Sequence, residues 1–143
     1  MHLFNMTTVF FVLTLLGNEF SASAFVNPAA WRLEPEPQLK MLGSCAFVGG
    51  RVMPVWYSAC TVMLGIQTWL HWHEPGLGLL LAADAIWVLI SLLSIFFLVP
   101  LNNRVVEGVP DWQRIHRTWD KVHRVRIAAV AIAAVLLIDV LVR

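Results

Sequence analysis

Four apolar stretches, separated by polar segments that carry prolines, set the pattern of this chain. They run approximately over Met6–Val26, Val52–Leu70, Leu77–Val99 and Val125–Val142. Each is close to the ~20 residues that an α-helix needs to cross a hydrocarbon core of ~30 Å. Within lipid a backbone must satisfy its own hydrogen bonds, so stretches of this length predict helices. Pro75-Gly76 predicts a tight turn that makes the second and third helices antiparallel neighbours. Pro28, Pro35 and Pro37 predict a break after the first stretch. Gln38–Gly50 then predicts a short interfacial helix ending at the Gly49-Gly50 pair. Pro100 predicts the end of the third helix, and Pro110-Asp111 precedes a polar helix that runs without a break into the fourth stretch. The expected fold is therefore all-α and membrane-embedded. It is a four-transmembrane-helix bundle forming a single domain over 1–143, with short interfacial helices in its two long loops.

Composition agrees with this pattern. Of 143 residues 59% are hydrophobic and 13% charged, whereas a soluble domain carries about 25% charged residues. The formal net charge of +1, with no basic stripe outside the loops flanking the apolar stretches, argues against a nucleic-acid partner. Cys45 and Cys60 stand in neither a CxxC nor a zinc spacing; they are expected to pack as small apolar residues.

Charge placement gives the expected orientation. Lys and Arg occupy positions 32, 40 and 51 in the first loop and 104, 114, 117, 121, 124 and 126 in the third, against Arg143 alone on the other side. By the positive-inside rule both long loops are cytoplasmic, and both termini and the 71–76 turn are external. In a bacterium this membrane would be the inner one. Ala22-Ser23-Ala24 has the form of a signal-peptidase site. Met1–Asn5, however, carries no Lys or Arg, and the charge split favours a retained span in which small residues admit a neighbouring helix. The bilayer is thus the expected partner, and a homo-oligomer is compatible with such a bundle.

Ionisable residues inside spans are the strongest functional pointers. Glu19 lies about two turns from the cytoplasmic end of the first span, beside Asn18 and without a local cation. Asp84 lies two turns into the third span, and Asp139 has Arg143 at i+4, the spacing of a helix-end ion pair. Trp112, His116, Trp119, His123 and Arg126 recur on one face of one helix, continued by Val130, Ala133 and Leu137. Interfacial aromatics and a snorkelling arginine explain part of this stripe; a site explains His123 and Arg126 equally well. The expected topology places Glu19, Tyr57, Asn102, Asn103, Trp119, His123 and Arg126 at one depth on four helices.

These residues also carry a resemblance. Gly17-Asn18-Glu19-Phe20 running to Asn27-Pro28, then Arg51-Val52-Met53-Pro54, Pro100-Leu101-Asn102-Asn103-Arg104, and Trp119-x3-His123-x2-Arg126 resemble the anthrone oxygenase-like membrane family. The resemblance implies a four-helix membrane fold and, for some members, oxidation of an anthrone to an anthraquinone by molecular oxygen without a cofactor. The implied substrate is a flat, hydrophobic small molecule with an acidic methylene. Such chemistry needs a base, donors for a developing oxyanion and an apolar pocket. Glu19 or the rival His123 would be the base, and Asn103 and Arg126 would stabilise the oxyanion. Tyr57, Trp119, Asn102 and Asn18 would bind substrate. No metal is expected: His71-x-His73-Glu74 reads as an interfacial turn, and His116 and His123 stand roughly 10 Å apart along a helix. The alternative is a non-enzyme, a small membrane accessory or transport-associated subunit whose polar cluster only locks the helices together.

Overall fold

The computed structural model describes residues 1–142, and among them it contains helix and turn but no strand. The first rod is continuous over His2–Ala30. It is built from α1 (His2–Ser21), a π-helical segment (Ala22–Val26) and α2 (Asn27–Ala30). The second rod is α3 (Pro35–Leu70), 36 residues and so ~54 Å long. The third, Leu77–Val106, joins α4 (Leu77–Leu93), a second π-helical segment (Ser94–Leu98) and α5 (Val99–Val106). The fourth is α6 (Trp112–Leu141), which runs unbroken from its polar half into its apolar half as the sequence predicts.

Two expectations fail here. The break expected from Pro28, Pro35 and Pro37 is present at 31–34, but neither Pro28 nor Pro100 itself ends its helix; the chain continues past each proline, to Ala30 and to Val106. Gln38–Gly50 is not a separate interfacial helix either, because α3 passes through Gly49-Gly50 and through Pro54 without a break. The physical reason lies just upstream of Pro28 and Pro100. A proline in a helix clashes with the carbonyl four residues before it. In both rods a π-helical segment ends two residues ahead of the proline, and Asn27 N–H bonds to the Ala22 carbonyl and Val99 N–H to the Ser94 carbonyl, five residues back. The widened turn moves the obstructing carbonyl aside.

Consecutive rods are antiparallel and the first also packs on the fourth, through contacts of α1 with α3, α3 with α4, α4 with α6 and α1 with α6. This is up-down-up-down packing. The turn between the second and third rods is as predicted: Gly76 has φ 112°, which favours glycine, and a Cβ there would come 3.2 Å from a Val140 methyl, a tight contact. One core, of Val12, Leu15, Leu64, Leu80, Trp87, Val130 and Leu137 among others, fills the bundle from that end. A smaller one, of Ala30, Leu42, Val105, Trp112 and Ile115, closes the opposite end.

The first and third rods are long and apolar enough to cross a membrane. The apolar halves of α3 and α6 are diluted by Tyr57, Gln67 and Thr68, and by Arg126 and Asp139. Large apolar side chains are nevertheless exposed on every rod, including Phe10 and Phe25, Val55 and Val62, Leu89 and Phe96, and Ile132 and Val135. The expected Asp139–Arg143 pair lies partly outside the described residues.

Candidate functional site

Between the two cores lies a polar layer. Each of its members stands one helical turn from a core residue: Glu19 follows Leu15 on α1, Ser94 follows Ile90 on the third rod, and Arg126 precedes Val130 on α6. Glu19 and His123 are each 2% exposed and Arg126 8%. Charged groups this deep persist only when paired and hydrogen-bonded.

The pairing is dense. Arg126 donates through Nη2 to Glu19 Oε2, and the same Nη2 lies 3.0 Å from His123 Nδ1. Its Nη1 donates to Ser94 Oγ at 2.9 Å, and Ser94 in turn donates to the Ile90 carbonyl at 2.7 Å. His123 Nε2 sits 3.1 Å from the Glu19 main-chain carbonyl. A carbonyl only accepts, so Nε2 carries a proton and Nδ1 is the acceptor of the neutral ring. In that state the Glu19 and Arg126 charges cancel, and the two hydrogens of Nη2 serve Oε2 and Nδ1. His123 Nδ1 is also 3.2 Å from Glu19 Oε2, so a protonated ring would bond the same carboxylate oxygen. Neither contact uses Oε1.

Around this triad the aromatic residues are ordered. Trp119 stacks on His123 with ring centroids 4.5 Å apart and on His116 at 5.7 Å, and Trp31 packs against His116 at 5.9 Å. Tyr57 lies on the α3 side, with its ring centroid 5.3 Å from Arg126 Cζ and 5.4 Å from the Trp87 ring. Its hydroxyl is directed at the Glu19 carboxylate, and Arg126 Nε is buried without a partner.

The structure thus brings together Glu19, His123 and Arg126, with Tyr57 and Trp119 against them. It does not bring in the amides. Asn103 is exposed on α5. Asn102 reaches the Ala46 carbonyl on α3 at 3.5 Å, and Asn18, also exposed, points to Met53 Sδ at 3.4 Å. Nor is Asp84 isolated, because Thr68 Oγ1 donates to it at 2.6 Å.

Sequence reasoning missed Ser94 and Asp120. Asp120 Oδ1 accepts from Ser23 Oγ at 2.7 Å and Asn27 Nδ2 at 2.6 Å, tying the π-helical segment of the first rod to α6; Oδ2 accepts from Arg124 Nε at 2.9 Å. The signal available was Ser23 and Asn27 at i, i+4 on one helix face. Burial pushes the Asp120 carboxyl up, but the hydrogen bonds from Ser23, Asn27 and Arg124 outweigh it and hold it below the ordinary range. Burial lowers His116, against the pull of Asp120. Among the described residues no group of three or more His, Cys, Asp and Glu is arranged to hold a metal. Two grooves lie on the surface. One, of about 150 Å³, is lined by Phe20, Ser23, Ala24, Arg124 and Ile127; the other, of about 590 Å³, lies between α3 and α5 beside Leu39, Phe47 and Val106.

An all-helical bundle with an apolar outer surface and a buried carboxylate–imidazole–guanidinium layer is the class that this geometry defines. Within that class the family is shown by sequence: residues 44–136, well over half of the chain, match the family model described as anthrone oxygenase. The chain belongs to the anthrone oxygenase family. The match includes Tyr57, Trp119, His123 and Arg126, whereas Glu19 lies before it. No curated protein and no solved structure matches the chain.

Proposed function

We propose that this protein is an integral membrane oxygenase, crossing the bilayer with all four rods and acting on a flat, hydrophobic ketone with an acidic methylene. The apolar side chains exposed on every rod support the four spans. The observation that carries the chemistry is the Glu19–His123–Arg126 layer, a carboxylate held through one oxygen by Arg126, with His123 on the Glu19 main-chain carbonyl. Glu19 Oε1, used by neither, is the base. It takes a proton from the methylene, leaving a carbanion delocalised as an enolate, with Arg126 supplying positive charge beside it. His123, with both nitrogens engaged, positions Glu19. The anion reacts with dioxygen to a hydroperoxide, which loses water to leave the new carbonyl. The methylene and one dioxygen thus become a carbonyl and one water.

A second reading is favoured by a different observation: neither groove is lined by Glu19, His123 or Arg126. A layer that lines neither groove suits a helix lock in a non-enzymatic subunit. Glu19→Gln alone cannot separate the two, since it leaves a buried guanidinium without its counter-ion and costs about 3–5 kcal/mol in either case. Glu19→Gln combined with Arg126→Gln removes both charges and recovers much of that loss. With the full chain in nanodiscs and anthrone as substrate, the wild type should consume oxygen and form quinone, and the double variant should be stable but inactive. A double variant with wild-type turnover would exclude the proposed base, and an inactive wild type would favour the lock.

A further inference from the structure

The polar half of α6 carries a row of cations that the buried layer does not use. Arg114, Arg117, Lys121 and Arg124 are all exposed, and their spacing of three, four and three residues puts them on one side of the helix over ~15 Å. Arg124 donates through Nε to Asp120 at 2.9 Å, and Arg117 lies over the Trp31 ring at 4.6 Å. Among the described residues no carboxylate pairs with Arg114, Arg117 or Lys121, so Asp120 offsets one of the four charges. Where the row ends, the surface turns apolar. The groove of about 150 Å³ that Arg124 lines lies between the first rod and α6, and Phe20, Ser23, Ala24 and Ile127 line the rest of it. Phe20 is half exposed and packs edge-on against Phe25, ring centroids 6.2 Å apart. Asp120 accepts from both Ser23 and Arg124, so the two walls of the groove are tied together. A row of cations that ends at an apolar slot matches a molecule with an anionic head and an apolar tail.

We infer that the row and the slot together seat one anionic phospholipid. Its phosphate lies against Arg124 and Lys121, Arg117 stands further out along the head, and one acyl chain enters the groove over Phe20, Ala24 and Ile127. A guanidinium held through Nε presents its terminal N–H groups to a phosphate as a fork. A zwitterionic head adds no net charge, so the excess of cations selects a head of net negative charge. The inference rests on the four-span reading, which puts the row in the headgroup layer of the cytoplasmic leaflet, and is independent of the oxygenase reading.

The test mixes the detergent-solubilised full chain with phosphatidylglycerol or phosphatidylcholine of the same acyl chains and counts bound lipid by native mass spectrometry. The wild type should hold phosphatidylglycerol in preference, and less so as salt rises. Arg117→Gln combined with Lys121→Gln removes two unpaired cations, leaves Arg124 on Asp120, and should cut the preference at least about tenfold. Ala24→Leu keeps every cation but fills the slot; it should lose bound phosphatidylglycerol while its melting temperature stays that of the wild type. A preference that Ala24→Leu leaves at full strength is general attraction to charge and overturns the inference, as does a wild type with no preference. Retention of the protein in membranes after alkaline extraction is scored in parallel. A chain released by that treatment removes the four-span reading and the lipid site with it, whereas a retained chain with no preference removes the lipid site alone.

Discussion

Arg126 brings five N–H donors and a fixed charge into the protein interior, and the residues around it are those that a buried arginine requires. Glu19 supplies the counter-charge, Ser94 a hydroxyl and His123 a ring nitrogen. Asp120 holds the neighbouring turn, and its titration is open to test. The fold lowers its carboxyl, so the stabilisation is complete above the range of a free carboxyl and is lost as pH falls through the depressed value. In detergent the melting temperature of Asp120→Asn should lie below that of wild type at pH 7, and the gap should close below about pH 4. A gap independent of pH would show that the hydrogen bonds of Asp120 do not depend on its charge. Glu19, His123 and Arg126 were legible in the sequence because an ionisable residue in an apolar stretch has few explanations. Ser94 was not, since a serine in a helix satisfies itself on the carbonyl four residues back, as this one does. Asp120 was hidden by Arg124 at i+4, a sufficient local partner.

The placement of four helical elements followed from the apolar pattern, but their extents did not. Proline was taken as a stop at Pro28 and Pro100, whereas a π-helical segment carries each helix through. Such a segment adds a residue to one turn and so rotates everything beyond it by ~100°. That rotation is also why the sequence could not decide which face of α5 presents Asn102 and Asn103. Pro100→Ala restores the N–H and removes the ring, allowing 94–98 to close as an ordinary α-turn. The side chain of Asn102 should then turn away from Ala46. Cysteines at 46 and 102, in a background lacking Cys45 and Cys60, should cross-link readily with Pro100 present and more slowly with Pro100→Ala. An unchanged rate would mean that the widened turn does not depend on the proline.

At the scale of the whole molecule, the positive-inside asymmetry yields a direct test of orientation. In the Cys-free background, a cysteine at His2 or Glu74 should react with a membrane-impermeant maleimide in intact cells. One at Glu34 or Glu107 should react only after permeabilisation. Labelling of all four in intact cells would discard the four-span arrangement. The family and the helical class could be read from the chain because its motifs are short and ordered. Substrate access could not, because it depends on how four rods pack around one polar layer.

That layer joins residues far apart in the chain, Glu19 being 107 positions from Arg126. At roughly 5–20 residues per second of synthesis, the carboxyl emerges on the order of 5–20 s before its guanidinium partner exists. Until α6 is made, the Glu19 carboxyl therefore lacks the partner that it has in the finished fold. Arrival of α6 supplies the ion pair and closes the ring of rods. A chain arrested before residue 126 has the carboxylate but not the guanidinium, and so cannot complete the layer on which the four rods meet.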